Sequence, residues 1–205
     1  MSHLSKTQMM KIVLTGTIGS GKTYVAKKLE AQGVAVLYLD AVAATIRDTI
    51  AKQAVIDAFG TSILKDDNID RQALGALVFK DLQAKRTLEN IIHPLVLEEM
   101  LAFFKTHEHE KLCVVEVANV HEFGWQKYFD EVWMVVCDHD VAINRLMKQR
   151  GYLQEYANTV LNAQKQFVLK DNEVQAYIYN NPEDDVNTQL QQLLERVGVY
   201  GITRR

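Results

Sequence analysis

Residues 16–23 read Gly-Thr-Ile-Gly-Ser-Gly-Lys-Thr, a complete Gly-x-x-x-x-Gly-Lys-Ser/Thr segment. Such a segment constrains the fold because it works in one setting, with a buried strand before it and a helix after it. Both flanks fit. Met10–Thr15 is short, apolar and rich in β-branched residues, as a buried strand is. From Thr23 to Gln32, Val25, Ala26 and Leu29 recur at helical spacing with Lys27 and Lys28 outside, and Gly33 follows as a stop. In that setting successive backbone N–H groups of the loop, which includes Ile18, turn inward around an anion, and the helix adds its positive N-terminal end. Gly16, Gly19 and Gly21 permit close approach. Lys22 is then a mobile cation for β- and γ-phosphates, and the Thr23 hydroxyl a ligand for Mg²⁺. Ser20 within the loop and Tyr24 after it complete the expected nucleotide-binding set.

The remaining chain is predicted to be α/β. Runs at 34–39, 112–117, 132–137 and 176–179 read as further strands, nearly continuous in apolar character. Between them lie helical stripes: Leu74, Leu77, Val78 and Leu82; Leu88, Ile91, Ile92 and Leu95; Val186, Leu190, Leu193, Leu194 and Val197. This alternation implies a parallel sheet covered by helices in three layers, with ligands at the carboxyl ends of the strands. With 205 residues, two prolines and no repeat or low-complexity tract, residues 1–205 read as one continuous domain with its own core.

Charge and cysteine usage exclude other classes. A net charge of −3 argues against a general nucleic-acid or membrane surface. No apolar run approaches a membrane span, and the polar start of the chain does not resemble a signal peptide. Cys113 and Cys137 sit in strand-like runs without zinc spacing, as reduced thiols would. The expected location is the cytoplasm, and the expected state a monomer or small homo-oligomer.

A phosphate loop alone leaves hydrolase, switch and kinase open. The chain has no NKxD segment for guanine recognition and no LSGGQ-like segment, and Lys22 stands where a dinucleotide fold would continue towards a third glycine. A small-molecule kinase using ATP and Mg²⁺ remains. Asp40, read as the end of the second strand beside the loop, is the candidate base or Mg²⁺ ligand, or alternatively a helix cap. On a helix from Asp140, Arg145, Lys148 and Gln149 share a face, either solvated or turned to the phosphates. The stretch Tyr152–Lys170 that follows is mostly polar, helical in pattern and poor in large apolar residues, as a mobile lid would be. His107 and His109, in His-Glu-His-Glu, read as a solvated turn rather than a metal tract. Glu116 is either a buried carboxylate that helps organise Mg²⁺ or the exposed end of its strand.

Taken together, the residues resemble the dephospho-coenzyme A kinases, which transfer phosphate from ATP to the ribose 3′-hydroxyl of dephospho-coenzyme A. The likeness rests on residues 14–23, Gly33–Val36, Asp40, Ile69-Asp70-Arg71, Leu74, Val78-Phe79, Arg86, Leu88-Glu89, Ile92-His93-Pro94, Phe129-Asp130, Arg145-Leu146-Met147, Gln164 and Asn180. It implies a phosphate-loop kinase core with a helical acceptor-binding region over 60–110 and a lid over 140–172. It also implies that Asp40 is the catalytic acid, that Arg71, Arg86 and His93 face the acceptor, and that Arg145 lies near the ATP phosphates. Read without the family, Arg71 and Arg86 are helix-surface charges and His93-Pro94 marks a helix kink.

Several positions depart from the family pattern. Thr17, Tyr38, Ala44, Ala118–His121, Ala142, Val160 and Gln175 stand where glycine, an acid, arginine, Pro-Leu-Leu-aromatic, glutamine, arginine and aspartate are usual. These departures leave two alternatives: a kinase of another nucleoside or nucleotide, and a nucleotide-binding relative without catalysis.

Overall fold

The computed structural model describes residues 9–118, 124–164 and 169–199. In chain order the elements are β1 (Met10–Gly16), α1 (Lys22–Ala31), β2 (Ala35–Tyr38), α2 (Leu39–Asp48), α3 (Lys52–Phe59), β3 (Leu64–Lys65), β4 (Asn68–Ile69), α4 (Arg71–Lys80) and α5 (Leu82–Thr106). Then follow β5 (Leu112–Glu116), β6 (Glu131–Val136), α6 (His139–Arg150), α7 (Gln154–Gln164), β7 (Ala176–Tyr179) and α8 (Val186–Arg196). The chain divides into two compact units, Met1–Leu37 with Phe104–Arg205, and Tyr38–Phe103.

The first unit holds a five-stranded sheet in the order β2-β5-β1-β6-β7. The pairs β1–β5, β1–β6 and β6–β7 are parallel. Parallel strands need helical crossovers that cover the sheet, so their residues are apolar on both faces. All of β5 is buried, and Trp133 in β6 is fully buried. The Trp133 indole N–H donates to Glu131 Oε2 at 2.7 Å, which satisfies its only polar atom. Helix α1 packs on β1, β5 and α8, while α8 also packs on β7. Burial of Cys113 raises its thiol to about 12, so it stays protonated and inert.

The second unit is helical apart from a two-residue hairpin, β3–β4, turned by Asp66 and Asp67 with φ of 49° and 59°. The unit begins at Tyr38, well before the 60–110 region drawn from sequence. Helix α5 runs unbroken through Pro94, which removes one i→i−4 hydrogen bond without ending the helix.

Three sequence expectations require correction. The second strand stops at Tyr38, and Leu39 and Asp40 open α2, so Asp40 lies in a helical first turn and not at a strand end. Nor does its strand neighbour the loop strand, because β5 lies between β2 and β1. Leu82 leaves the stripe it was assigned to: it begins α5 and is 63% exposed.

Candidate functional site

The phosphate loop joins β1 to α1, as its flanking sequence requires. Gly16, Gly19 and Gly21 have φ of 152°, 79° and 92°, conformations that L side chains avoid. A loop whose N–H groups converge must turn its carbonyls outward, and those carbonyls need donors. Arg145, on α6, supplies two, donating through Nη1 to Gly19 O at 3.3 Å and Ser20 O at 3.1 Å. Its Nη2 donates to Asn180 O at 2.7 Å. The Asn180 side-chain amide donates to Ser20 O at 2.7 Å. Lys22 folds over the loop, with Nζ 2.9 Å from Gly16 O and 3.4 Å from Thr17 O. Ser20 Oγ is the one polar side-chain atom among the described residues that is buried without a hydrogen-bond partner.

The α6–α7 pair backs the loop. Ala142, Ile143, Leu146, Ala157 and Leu161 form a buried cluster against which Ile18 and Cys137 pack. Gln164, at the end of α7, accepts the Ile18 N–H at 2.6 Å. Burial pushes the Cys137 thiol up, with the Arg145 charge opposing, and its Sγ lies 3.7 Å from Gly19 O. The region read as a lid over 140–172 therefore contains a helical pair packed on the loop, and part of it, residues 165–168, lies outside the described residues.

At the end of β5, Glu116 is 5% exposed, which removes the reading of an exposed strand end. It accepts from Thr23 Oγ1 at 3.4 Å. Sheet order explains the encounter: β5 is the neighbour of β1, and Glu116 is in register with Leu14, two residues before the loop. A hydroxyl and a carboxylate are hard oxygen donors of the kind Mg²⁺ takes, so this pair fits the ion. The order β2-β5-β1 was not legible locally, and so sequence reasoning favoured Asp40 over Glu116 here.

Tyr24 is half exposed, with the Lys28 ammonium 4.9 Å from its ring centroid. Asp40 is exposed in the first turn of α2. In the same unit, Arg71 Nη2 pairs with Asp48 Oδ2 at 2.8 Å, and Arg47 Nε with Asp48 Oδ1 at 2.7 Å. These guanidiniums, Arg47 foremost, hold the Asp48 carboxyl below its usual range. Arg86 is exposed and His93 half-buried on α5. His107 and His109 fall in the turn after α5, and no cluster of three or more His, Cys, Asp or Glu suited to a metal occurs among the described residues. No helix among them is long and apolar enough to cross a membrane. The departures at Asn119, Val120 and His121 lie outside the described residues.

Comparison with known proteins gives a consistent result. The family model described as CoaE, dephospho-CoA kinase, matches residues 10–185. The chain is 36% identical to the dephospho-CoA kinase of Bordetella avium over 76% of its own length and 75% of the relative's. It is 32% identical to that of Geobacillus kaustophilus over 91% and 96%. The crystal structure of TT1252 from Thermus thermophilus superposes with a TM-score of 0.79 at 26% identity, covering 92% of this chain and 97% of that one.

Proposed function

The chain belongs to the dephospho-CoA kinase family, and we propose that it transfers the γ-phosphoryl group of ATP to the ribose 3′-hydroxyl of dephospho-CoA. The observation that carries this reading is the family match over residues 10–185, a span that includes the phosphate-loop motif. In the reaction the acceptor oxygen bonds to the γ-phosphorus, the bond from that phosphorus to the β–γ bridging oxygen breaks, and ADP leaves. Phosphoryl transfer asks the protein mainly for positioning and for charge to offset the developing anion.

The residues divide that work. The loop N–H groups up to Thr23 that are not already held within the protein, as those of Ile18 and Ser20 are by Gln164 Oε1 and Thr17 O, cradle the phosphates, with Gly16, Ile18, Gly19, Ser20 and Gly21 shaping the loop. Lys22 exchanges its contacts with Gly16 O and Thr17 O for phosphate oxygens. Arg145 adds positive charge from behind the loop while holding its carbonyls. Thr23 and Glu116 would hold Mg²⁺, and Asp40 is proposed as a further ligand; when bound, the ion would supply positive charge to offset that on the transferred group. Asp40 accepts the 3′-hydroxyl proton, and Arg71, Arg86 and His93 bind the acceptor. The free thiols Cys113 and Cys137 suit a reducing cytoplasm.

The test is transfer of labelled γ-phosphate from ATP to dephospho-CoA, with adenosine, AMP and other nucleosides as parallel acceptors. Phosphorylation of dephospho-CoA at the 3′-hydroxyl supports the assignment, whereas transfer to another acceptor, or to none, refutes it. Asp40→Asn should lower kcat by at least about a hundredfold, the lower range for a general base, with ATP affinity within a few-fold. Retained turnover would remove Asp40 from the base role.

A further inference from the structure

Asn180 directly follows β7, the strand at one edge of the sheet, and is 160 residues from the loop residue it touches. Its backbone is fixed twice: the N–H donates to Val136 O at 2.9 Å, and the carbonyl accepts from Arg145 Nη2 at 2.7 Å. It is one of four buried polar or charged residues among those described, at 5% exposure. The amide orientation is set by chemistry, because Ser20 presents a carbonyl and only the nitrogen end of the amide can face it.

This contact controls which side of a peptide faces the nucleotide. In a trans peptide the carbonyl of one residue and the N–H of the next point in opposite directions. With Ser20 O drawn to Asn180 Nδ2 and Arg145 Nη1, the Gly21 N–H is turned to the opposite side, away from those two donors. Were that peptide to rotate, its oxygen would face the phosphates and repel them. Gly21 carries a complementary requirement: a Cβ built there falls 2.2 Å from Asn180 Nδ2, so any side chain would push the amide off its carbonyl.

We propose that Asn180 is a positioning residue for nucleotide binding, one that holds the Ser20–Gly21 peptide with its N–H towards the phosphates. This rests on the reading of the loop as the ATP site. The discriminating variant is Asn180→Asp, which preserves shape but sets a carboxylate oxygen against the Ser20 carbonyl. Asn181→Asp is the control, because the Asn181 side chain accepts from Asp138 N–H at 2.8 Å and not from the loop.

ADP and ATP titrations by calorimetry should show about tenfold weaker binding for Asn180→Asp, equivalent to about 1.4 kcal/mol, and no more than a twofold change for Asn181→Asp. KM for ATP should rise in step, with KM for dephospho-CoA within about twofold of the parent. Nucleotide affinity unchanged in folded Asn180→Asp overturns the proposal, as does a loss matched by the control or accompanied by an equal rise in both KM values. Asn180→Ala serves as the second variant, with the same expected split. A parent protein that binds nucleotide but does not phosphorylate dephospho-CoA would refute the activity and leave the clamp standing. Nucleotide binding is read without acceptor, so the two failures are distinct.

Discussion

Gly16→Ala and Gly75→Ala are the same chemical change with opposite expected signs. At Gly16 an added Cβ would lie 2.3 Å from Val135 O, 3.2 Å from Val135 C and 2.9 Å from Ser20 Oγ. The nearest of these is backbone, on the strand paired with β1 in the register Gly16↔Val135. Ordinary contact begins near 3.4 Å, so β1 and β6 would have to separate by about 1.1 Å at that pair, where no side chain can swing away. Overpacking of this kind costs about 1–3 kcal/mol and a φ of 152° at a residue with a Cβ about another 1–3. A central value of about 4 kcal/mol corresponds to a Tm lower by roughly 8–16 °C in a chain of this length. Gly75 lies inside α4 with nothing within 4 Å of an added Cβ. There alanine reduces the entropy of the unfolded chain and should add about 0.5–1 kcal/mol, or roughly 1–4 °C. Calorimetric or fluorescence melting of the two variants beside the parent is the assay. Gly16→Ala melting within about 2 °C of the parent, or Gly75→Ala melting below it, would refute the steric argument.

Glu116→Gln preserves the shape at the end of β5 but removes its charge from beside Thr23; the Mg²⁺ concentration for half-maximal activity should rise by about tenfold, as expected for loss of about 1.4 kcal/mol of ion affinity, and an unchanged Mg²⁺ titration would count against the pair as an ion site. Asp48→Asn tests the cluster in the helical unit: the Asp48 pKa is depressed, first by its hydrogen bond to Arg47, so its stabilisation is present above the unfolded carboxylate pKa and disappears as pH falls through the folded one. The variant should lose up to about 1 kcal/mol at pH 7 and converge with the parent in acid, and a gap constant from neutral pH to below pH 3 would exclude the ion pair as its cause.

Secondary structure was legible where one signal dominated. Each strand of the large sheet announces itself by a short, mostly apolar run, and Ala176–Tyr179 matches β7 residue for residue. Elsewhere two signals met. Leu39 continues the apolar run of β2 but is buried as the first residue of α2, and strand passes to helix without a punctuating glycine or proline. The hairpin β3–β4 has two residues per strand, too few to show an alternating period, although Asp66-Asp67 is a turn signal. Leu82 matched a helical period only because the count ran across Asp81, where α4 ends. Sheet order is not encoded in local periodicity at all. The insertion of β5 between β1 and β2, which brings Glu116 to Thr23, therefore could not be read from the strands one at a time.

The phosphate loop is a local motif whose shape is not local. Its eight residues encode the capacity for an anion cradle, yet each glycine answers to a different distant neighbour. A Cβ at Gly16 would meet Val135 O, one at Gly19 would lie 2.9 Å from Ala142 O, and one at Gly21 would meet Asn180 Nδ2. Converging N–H groups force the carbonyls of Gly19 and Ser20 outward into protein, where each would cost about 1–3 kcal/mol if left unpaired. The donors that satisfy them come from residues 145 and 180, on elements that the motif does not mention. The glycines that would let backbone approach a phosphate also bring it close to β6, α6 and the residue after β7. Conformational freedom explains why glycine is permitted at these positions. The neighbours explain why it is required, and they make the loop's geometry a property of the whole sheet edge rather than of the eight residues.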